Sequence, residues 1–135
     1  MPEGSIEVAR AAIEAWNRGD REAWLESWDE AAEFHPLRAQ LEGRAYRGHD
    51  GMRRFMSELD EDWEGVRFEI DDLREAGGQV VGTGRMRARG RASGVELDVP
   101  LGLIGTVRAG KIVHARMFSD PGEALDAAGP PASSG

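Results

Sequence analysis

The chain has 135 residues, no cysteine, and a formal net charge of -8 from 25 acidic and 17 basic side chains. This length suits one domain with its own buried core, and the missing thiols exclude disulfides, thiolate catalysis and cysteine-ligated zinc. The acidic balance argues against a dedicated nucleic-acid binder or a partner of anionic membranes. No stretch approaches the ~18 apolar residues of a membrane span, and the start MPEGSIEVAR lacks a secretory signal pattern, so we expect a cytoplasmic protein.

Three helices are predicted in the first half of the chain, because apolar residues recur there with the helical period. Ser5 can cap the first helix and Asp20 the second, and Gly19 suits the end of the first. The third helix is expected to begin near His49 or Asp50. The predicted bounds are 5–17, 20–28 and 49–61.

The segment EFHP leads out of the second helix and contains one of three histidines. Pro36 disfavours a helical backbone at the preceding residue, so His35 is predicted to be extended. An imidazole exchanges protons near neutral pH, which suits a catalytic acid or base. Ligand binding and a purely structural hydrogen bond are the other interpretations, and the sequence leaves all three open. The three histidines show no metal-ligand spacing, so we expect no bound metal.

The second half of the chain predicts four strands within residues 66–118. In the first strand Val66, Phe68 and Ile70 alternate with charged residues, which indicates a strand with one wet face. Glycine-containing turns, the first at Gly77–Gly78, favour an antiparallel meander. Helices followed by such a meander form an α+β domain in which the helices pack on one face of a curved sheet. The predicted bounds are 1–128 for the domain and 129–135 for a disordered C-terminal tail.

One predicted strand carries an arginine-rich face formed by Arg85, Arg87 and Arg89. This face is either an anion-binding stripe or a solvated surface whose arginines pair with Glu96 and Asp98 on the next strand. No aromatic residue lies among these arginines to stack on bases, so we favour the second interpretation and expect no nucleic-acid partner.

Five stretches in this order carry a resemblance to a known family: AWNRGD, EFHP, GHDGMRRFM, VPLGLI and AGKIVHARMF. With them the chain resembles the nuclear transport factor 2-like (NTF2-like) superfamily and, within it, the SnoaL-like and ketosteroid isomerase-like branch. The resemblance implies a cone-shaped, cystatin-like fold whose bent sheet wraps a long helix and leaves an apolar pocket open at one end. It also implies a homodimer formed through the sheet.

The resemblance places the family's reactive groups on particular positions of this chain. The aspartate base of ketosteroid isomerases precedes a proline, and the matching residue here is His35. Their two oxyanion donors match Ala12 and Gly102, and the carboxylate of limonene-epoxide hydrolase relatives matches Met117. The resemblance therefore implies a titratable group at the base position but carries over no oxyanion donor.

A pocket of this family would be lined here by side chains from the helices and the sheet. The expected ligand-binding residues are Trp16, Phe34, Phe55, Met56, Met86, Gly102, Val113, Ala115 and Met117. The leading hypothesis is a pocket protein for a small, largely apolar organic molecule, with His35 as the catalytic residue of a cofactor-free isomerase, cyclase or hydratase. The alternative is a non-catalytic ligand-binding or dimeric assembly module of the same fold.

Overall fold

The computed structural model of the protein describes residues 4–76 and 79–128. The predicted tail at 129–135 and the predicted turn at Gly77–Gly78 lie outside these residues. Among the described residues, no helix has both the length and the apolar composition needed to cross a membrane. In chain order the elements are α1 Ser5–Asn17, α2 Arg21–Glu26, β1 Trp28–His35, α3 Leu37–Leu41, β2 Tyr46–Arg47, α4 Gly48–Asp62, β3 Trp63–Ala76, β4 Gln79–Gly90, β5 Glu96–Arg108, β6 Lys111–Phe118 and α5 Pro121–Ala127.

The strands form one six-stranded sheet in the order β2-β1-β6-β5-β4-β3. The predicted antiparallel meander is confirmed, because β3, β4, β5 and β6 pair with one another in succession. Two strands were not predicted: β1 pairs in parallel with β6, and the short β2 pairs antiparallel with β1. The α+β class is confirmed, and β3 and β2 are the two edge strands.

The main departure from the predicted helix bounds is at the end of α2. Helix α1 has the predicted bounds, although Gly4 rather than Ser5 occupies the N-cap position. Asp20 caps α2 as predicted, since its side chain accepts a hydrogen bond from the Ala23 N–H at 3.1 Å. The predicted end of α2 at residue 28 is wrong, because Trp28 pairs with Ile112 and begins β1. Long-range pairing thus prevails there over the local helical period.

Two side chains at the end of α1 fasten this helix to the edge strand β3. The indole N–H of Trp16 donates to the Val66 carbonyl at 2.9 Å. The Asn17 amide donates to the Phe68 carbonyl and accepts from the Phe68 N–H, both at 2.9 Å. These contacts satisfy edge groups of β3 that would otherwise lack a ladder partner.

The main core lies on the sheet face that packs against α1, α2 and α4, which we call the inner face. Its centre is aromatic. The ring centroids of Trp16 and Trp24 are 4.9 Å apart, those of Phe34 and Phe55 are 5.0 Å apart, and both pairs meet edge-on. Further buried members are Val8, Ala12, Leu25, Trp28, Tyr46, Met52, Met56, Phe68, Leu101, Ile112 and Met117. The predicted packing of the three N-terminal helices on one face of the sheet is confirmed.

The opposite face, here the outer face, is covered at one end by α5. Ala124 packs there against Val81, Ile104 and Phe118 in a small second core. Gly102 also belongs to this face, because a Cβ on it would lie 2.6 Å from the Cβ of Ala124. A glycine at this position therefore lets α5 approach β5 closely.

Candidate functional site

A cavity of about 790 Å³ opens between α3, α4 and the inner face of the sheet. Its wall combines residues of the α3 segment, of α4 and of the four meander strands. The lining residues are Pro36, Leu37, Ala39, Glu42, Arg44, Tyr46, Phe55, Glu58, Leu59, Glu61, Asp62, Trp63, Val66, Phe68, Met86, Ala88, Leu97 and Met117. The cavity is the part of the inner face that the core side chains leave unfilled.

The deep wall of the cavity is apolar. Phe55, Phe68 and Met117 reach it from α4, β3 and β6, and all three are buried members of the main core. Val66 and Met86 are half-buried and extend the same wall across β3 and β4. Methionine side chains adapt their shape to what they contact, so this wall can accommodate apolar ligands of varied outline.

One part-buried polar pair interrupts the apolar lining. The hydroxyl of Tyr46 donates a hydrogen bond to a carboxylate oxygen of Glu58. Burial, and then this hydrogen bond, raise the pKa of the Tyr46 phenol above its usual value. The guanidinium of Arg44 lies 5.6 Å from the Tyr46 ring centroid and opposes this rise in pKa. The phenol is therefore a protonated hydrogen-bond donor at neutral pH.

The turn between β2 and α4 places this pair. Tyr46 pairs with Phe34 on β1, which fixes the tyrosine at the edge of the inner face. Gly48 then has a φ of 67°, and a Cβ there would lie 2.8 Å from the Glu30 carbonyl oxygen, so glycine allows α4 to start at once. Glu58 lies three residues after Phe55 on α4, so the helical period puts both on the cavity side.

Charged side chains surround the mouth of the cavity. Four carboxylates belong to the lining, those of Glu42, Glu58, Glu61 and Asp62, together with the guanidinium of Arg44. Arg44 forms an ion pair with Glu42. The site thus combines an apolar interior with a polar rim, an arrangement typical of pockets that bind organic molecules.

The structure places three of the predicted ligand-binding residues in the cavity wall, namely Phe55, Met86 and Met117. Contact of these side chains with a ligand stays a prediction. Six predicted residues do not line the cavity. Trp16, Phe34 and Met56 are buried in the main core, Ala115 packs against that core, Gly102 faces α5, and Val113 is half-buried outside the cavity wall.

The misplacement of Val113 has a physical reason. The alternation along β6 predicted one apolar face with Val113, Ala115 and Met117, but the register between β5 and β6 shifts between Thr106 and Val107. A bulge of this kind changes which residues face inward. Ala115 and Met117 contact the core as the alternation predicted, but before the bulge the inward residue is Ile112 and not Val113.

The prediction that His35 opens into the cavity is wrong. Phe34 is buried in the main core, and successive residues of a strand point to opposite faces, so His35 lies on the outer face. Its Nε2 is 2.8 Å from a carboxylate oxygen of Glu33, and its ring centroid is 5.0 Å from that of His114. Tyr46 and Glu58 line the cavity but were not predicted from the sequence. For Glu58 a signal was available, because its helical spacing from Phe55 puts both residues on the same side of the helix.

The arginine-rich face of β4 is paired as the favoured interpretation expected. Arg85 binds Asp98, and Arg89 binds Glu96 at 3.2 Å, both across the β4–β5 ladder. The Arg85 guanidinium lowers the pKa of the Asp98 carboxyl below its usual value. These arginines are engaged with carboxylates of the neighbouring strand.

Comparisons with known proteins agree with this architecture. The SnoaL-like domain matches residues 9–115 of the chain. The sequence matches none of the curated proteins with which it was compared.

Several solved structures share the fold. An NTF2-like protein from Burkholderia thailandensis E264 has a TM-score of 0.77 at 28% identity, covering 91% of this chain and 98% of that one. TerC, co-crystallised with polyporic acid, has a TM-score of 0.76 at 19% identity, covering 92% and 97%. A protein with a ketosteroid isomerase-like fold from Catenulispora acidiphila, in complex with trimethylamine, has a TM-score of 0.74 at 18% identity, covering 96% and 98%. With its domain match and its NTF2-like architecture, the chain belongs to the SnoaL-like domain family.

Proposed function

We propose that this protein binds a small, largely apolar organic molecule in the cavity, with the polar group of that molecule at the Tyr46–Glu58 pair. The observation that carries the proposal is the cavity itself. Its volume of about 790 Å³ lies within the roughly 300–1,000 Å³ typical of ligand pockets. A few polar groups at one end of an apolar wall can fix the orientation of a ligand and give it specificity.

Two structural relatives support a ligand of this kind. TerC was co-crystallised with polyporic acid, and the Catenulispora acidiphila protein is in complex with trimethylamine. Both proteins share this fold and were crystallised with a small organic molecule. The carboxylates around this cavity favour a neutral or hydrogen-bonding polar group over a second carboxylate.

Proton transfer is a second candidate function, and the Tyr46–Glu58 pair favours it. The Tyr46 phenol stays protonated, and its O–H, which donates to Glu58 in the free protein, can turn instead to a substrate oxygen that gains negative charge during enolisation. Glu58 offers a carboxylate in the same cavity that can accept a proton from a bound substrate. Both groups belong to the protein, so a reaction of this kind requires no cofactor.

This assignment replaces the role first given to His35. The His35 ring is bound to Glu33 on the outer face, and it is not among the residues lining the cavity. A substrate held in the cavity would have to cross the sheet to reach this imidazole. Under the proposal, replacement of His35 leaves ligand binding in the cavity unchanged.

Binding can be tested with N-phenyl-1-naphthylamine, a neutral apolar dye that fluoresces when it leaves water. We expect saturable binding to the wild-type chain. The double variant Leu59→Trp, Met86→Trp adds two indole rings from opposite walls of the cavity, and we expect at least a tenfold loss of affinity.

A matched control adds the same side chain away from the cavity. Leu125 lies on α5 and is 39% exposed, so Leu125→Trp should bind the dye as the wild type does. Circular dichroism verifies that each variant is folded. Equal dye affinity in the double variant and the wild type would show that the cavity is not the binding site.

A further inference from the structure

Three side chains that can ligate a metal meet on the outer face of the sheet, away from the cavity. Glu33 and His35 belong to β1, and His114 belongs to β6. Each residue offers one ligand atom, and these atoms all lie within 4.8 Å of one another. All three residues are half-buried. We refer to them as the outer-face triad.

The parallel pairing of β1 and β6 creates the outer-face triad. In this pairing Glu33 is directly opposite His114. His35 is on the same face as Glu33 because residues two positions apart on a strand point to the same side. The sequence shows no metal-ligand spacing because the second histidine comes from a distant strand that reaches β1 only in the folded chain.

The donor set of the outer-face triad is that of a late first-row transition metal. Two imidazole nitrogens and one carboxylate oxygen suit Zn²⁺, which binds such ligands at about 2.0–2.2 Å. In tetrahedral geometry these bond lengths separate ligand atoms by roughly 3.3 Å, so the farthest pair, within 4.8 Å here, has to close by at most about 1.5 Å. Rotation of half-buried side chains provides a movement of this size.

The surroundings of His114 and Glu33 suit a metal ligand set. Among the described residues, no hydrogen bond reaches the ring nitrogens of His114, so this imidazole has a free lone pair for a ligand. The Glu33 carboxylate supplies the negative charge, and it lies 2.8 Å from His35 and 3.7 Å from Arg47.

We propose that Glu33, His35 and His114 form a binding site for Zn²⁺ on the outer face of the sheet. The ion would connect β1 to β6, the single parallel pair among the described strands. Three protein ligands leave one tetrahedral position for water, since the triad is half-exposed. The site is separate from the cavity, because none of its three residues lines the cavity.

The test uses the untagged full-length chain, freed of metal with a chelator that is then removed. Calorimetric titration with zinc chloride at pH 7.5 should show one Zn²⁺ per chain and no binding of Mg²⁺. Because zinc would bind the folded chain and not the unfolded one, a free zinc concentration 100 times Kd should raise Tm by about 10 °C for a domain of this size.

Single substitutions then assign the ligands. His114→Gln and Glu33→Gln should each lower zinc affinity at least tenfold. The matched control is His49→Gln, because His49 binds the Trp28 carbonyl at 2.7 Å and is not part of the triad, so its zinc affinity should equal that of the wild type. If zinc does not bind the wild type, or if His114→Gln and Glu33→Gln bind it as tightly as His49→Gln does, the proposal is wrong.

Discussion

Replacing Asn17 by alanine should lower the free energy of unfolding by about 1.5 kcal/mol. The Asn17 amide makes two hydrogen bonds of 2.9 Å with the backbone of Phe68, and a neutral hydrogen bond contributes about 1 kcal/mol net. The better helix propensity of alanine at the end of α1 offsets roughly 0.5 kcal/mol of this loss. The change also frees the N–H and carbonyl of Phe68 on an edge strand whose side chains form part of the cavity wall.

The expected loss can be measured by thermal and urea unfolding. An unfolding entropy of roughly 2.1 cal/mol/K per residue gives this chain about 0.28 kcal/mol/K, so Tm should fall by about 5 °C. Arg18→Ala is the control, because the Arg18–Asp20 ion pair is exposed and should contribute less than about 1 kcal/mol. An Asn17→Ala variant within about 0.5 kcal/mol of the wild type would refute the idea that this amide fastens α1 to β3.

Three further predictions concern single sites and the assembly. Tyr46 is the single tyrosine, so phenolate absorbance should show it titrating above pH 10, and Glu58→Gln should lower that pKa because the carboxylate acceptor is lost. Because the pKa of Tyr46 is higher in the folded state, its contribution to stability is complete below pH 10 and is lost as pH rises through the folded pKa. The urea midpoint of the wild type should therefore fall above pH 10, and that of Tyr46→Phe should fall less. Gly102→Val should lower stability by about 1–3 kcal/mol, since a Cβ already approaches Ala124 to 2.6 Å, and an unchanged Tm would contradict this. Light scattering at micromolar concentration should give the mass of a homodimer formed through the sheet, and a monomer mass would exclude it.

Local sequence patterns predicted the parts of the fold that depend on neighbours in the chain. Helix α1 and the meander follow from the period of their apolar residues, and both have the expected order. The strand β1 depends on pairing with β6, which joins residues far apart in sequence. Trp28 shows the consequence: its spacing from Trp24 suggests a helix, but pairing with Ile112 makes it the first residue of a strand.

The candidate site was predicted only in part for a related reason. The apolar positions of α4 placed Phe55 correctly, since a helix fixes which residues share a face. His35 was given an inward direction from the resemblance, although the buried Phe34 beside it forces the imidazole outward. The position of the Tyr46–Glu58 pair depends on the turn at Gly48, whose geometry comes from tertiary contact with Glu30.

The methyl groups of methionine offer the most direct test of the proposed ligand site. Of five methionines, Met86 and Met117 line the cavity, while Met52 is fully buried in the core and Met56 is buried beside it. The chain would be labelled with ¹³C at the methionine methyls, and its spectrum would be recorded during titration with N-phenyl-1-naphthylamine. We expect the Met86 and Met117 signals to shift together and saturate, while the Met52 signal stays in place. Saturable dye binding that leaves the Met86 and Met117 signals unchanged would contradict the proposal that the cavity is the ligand site.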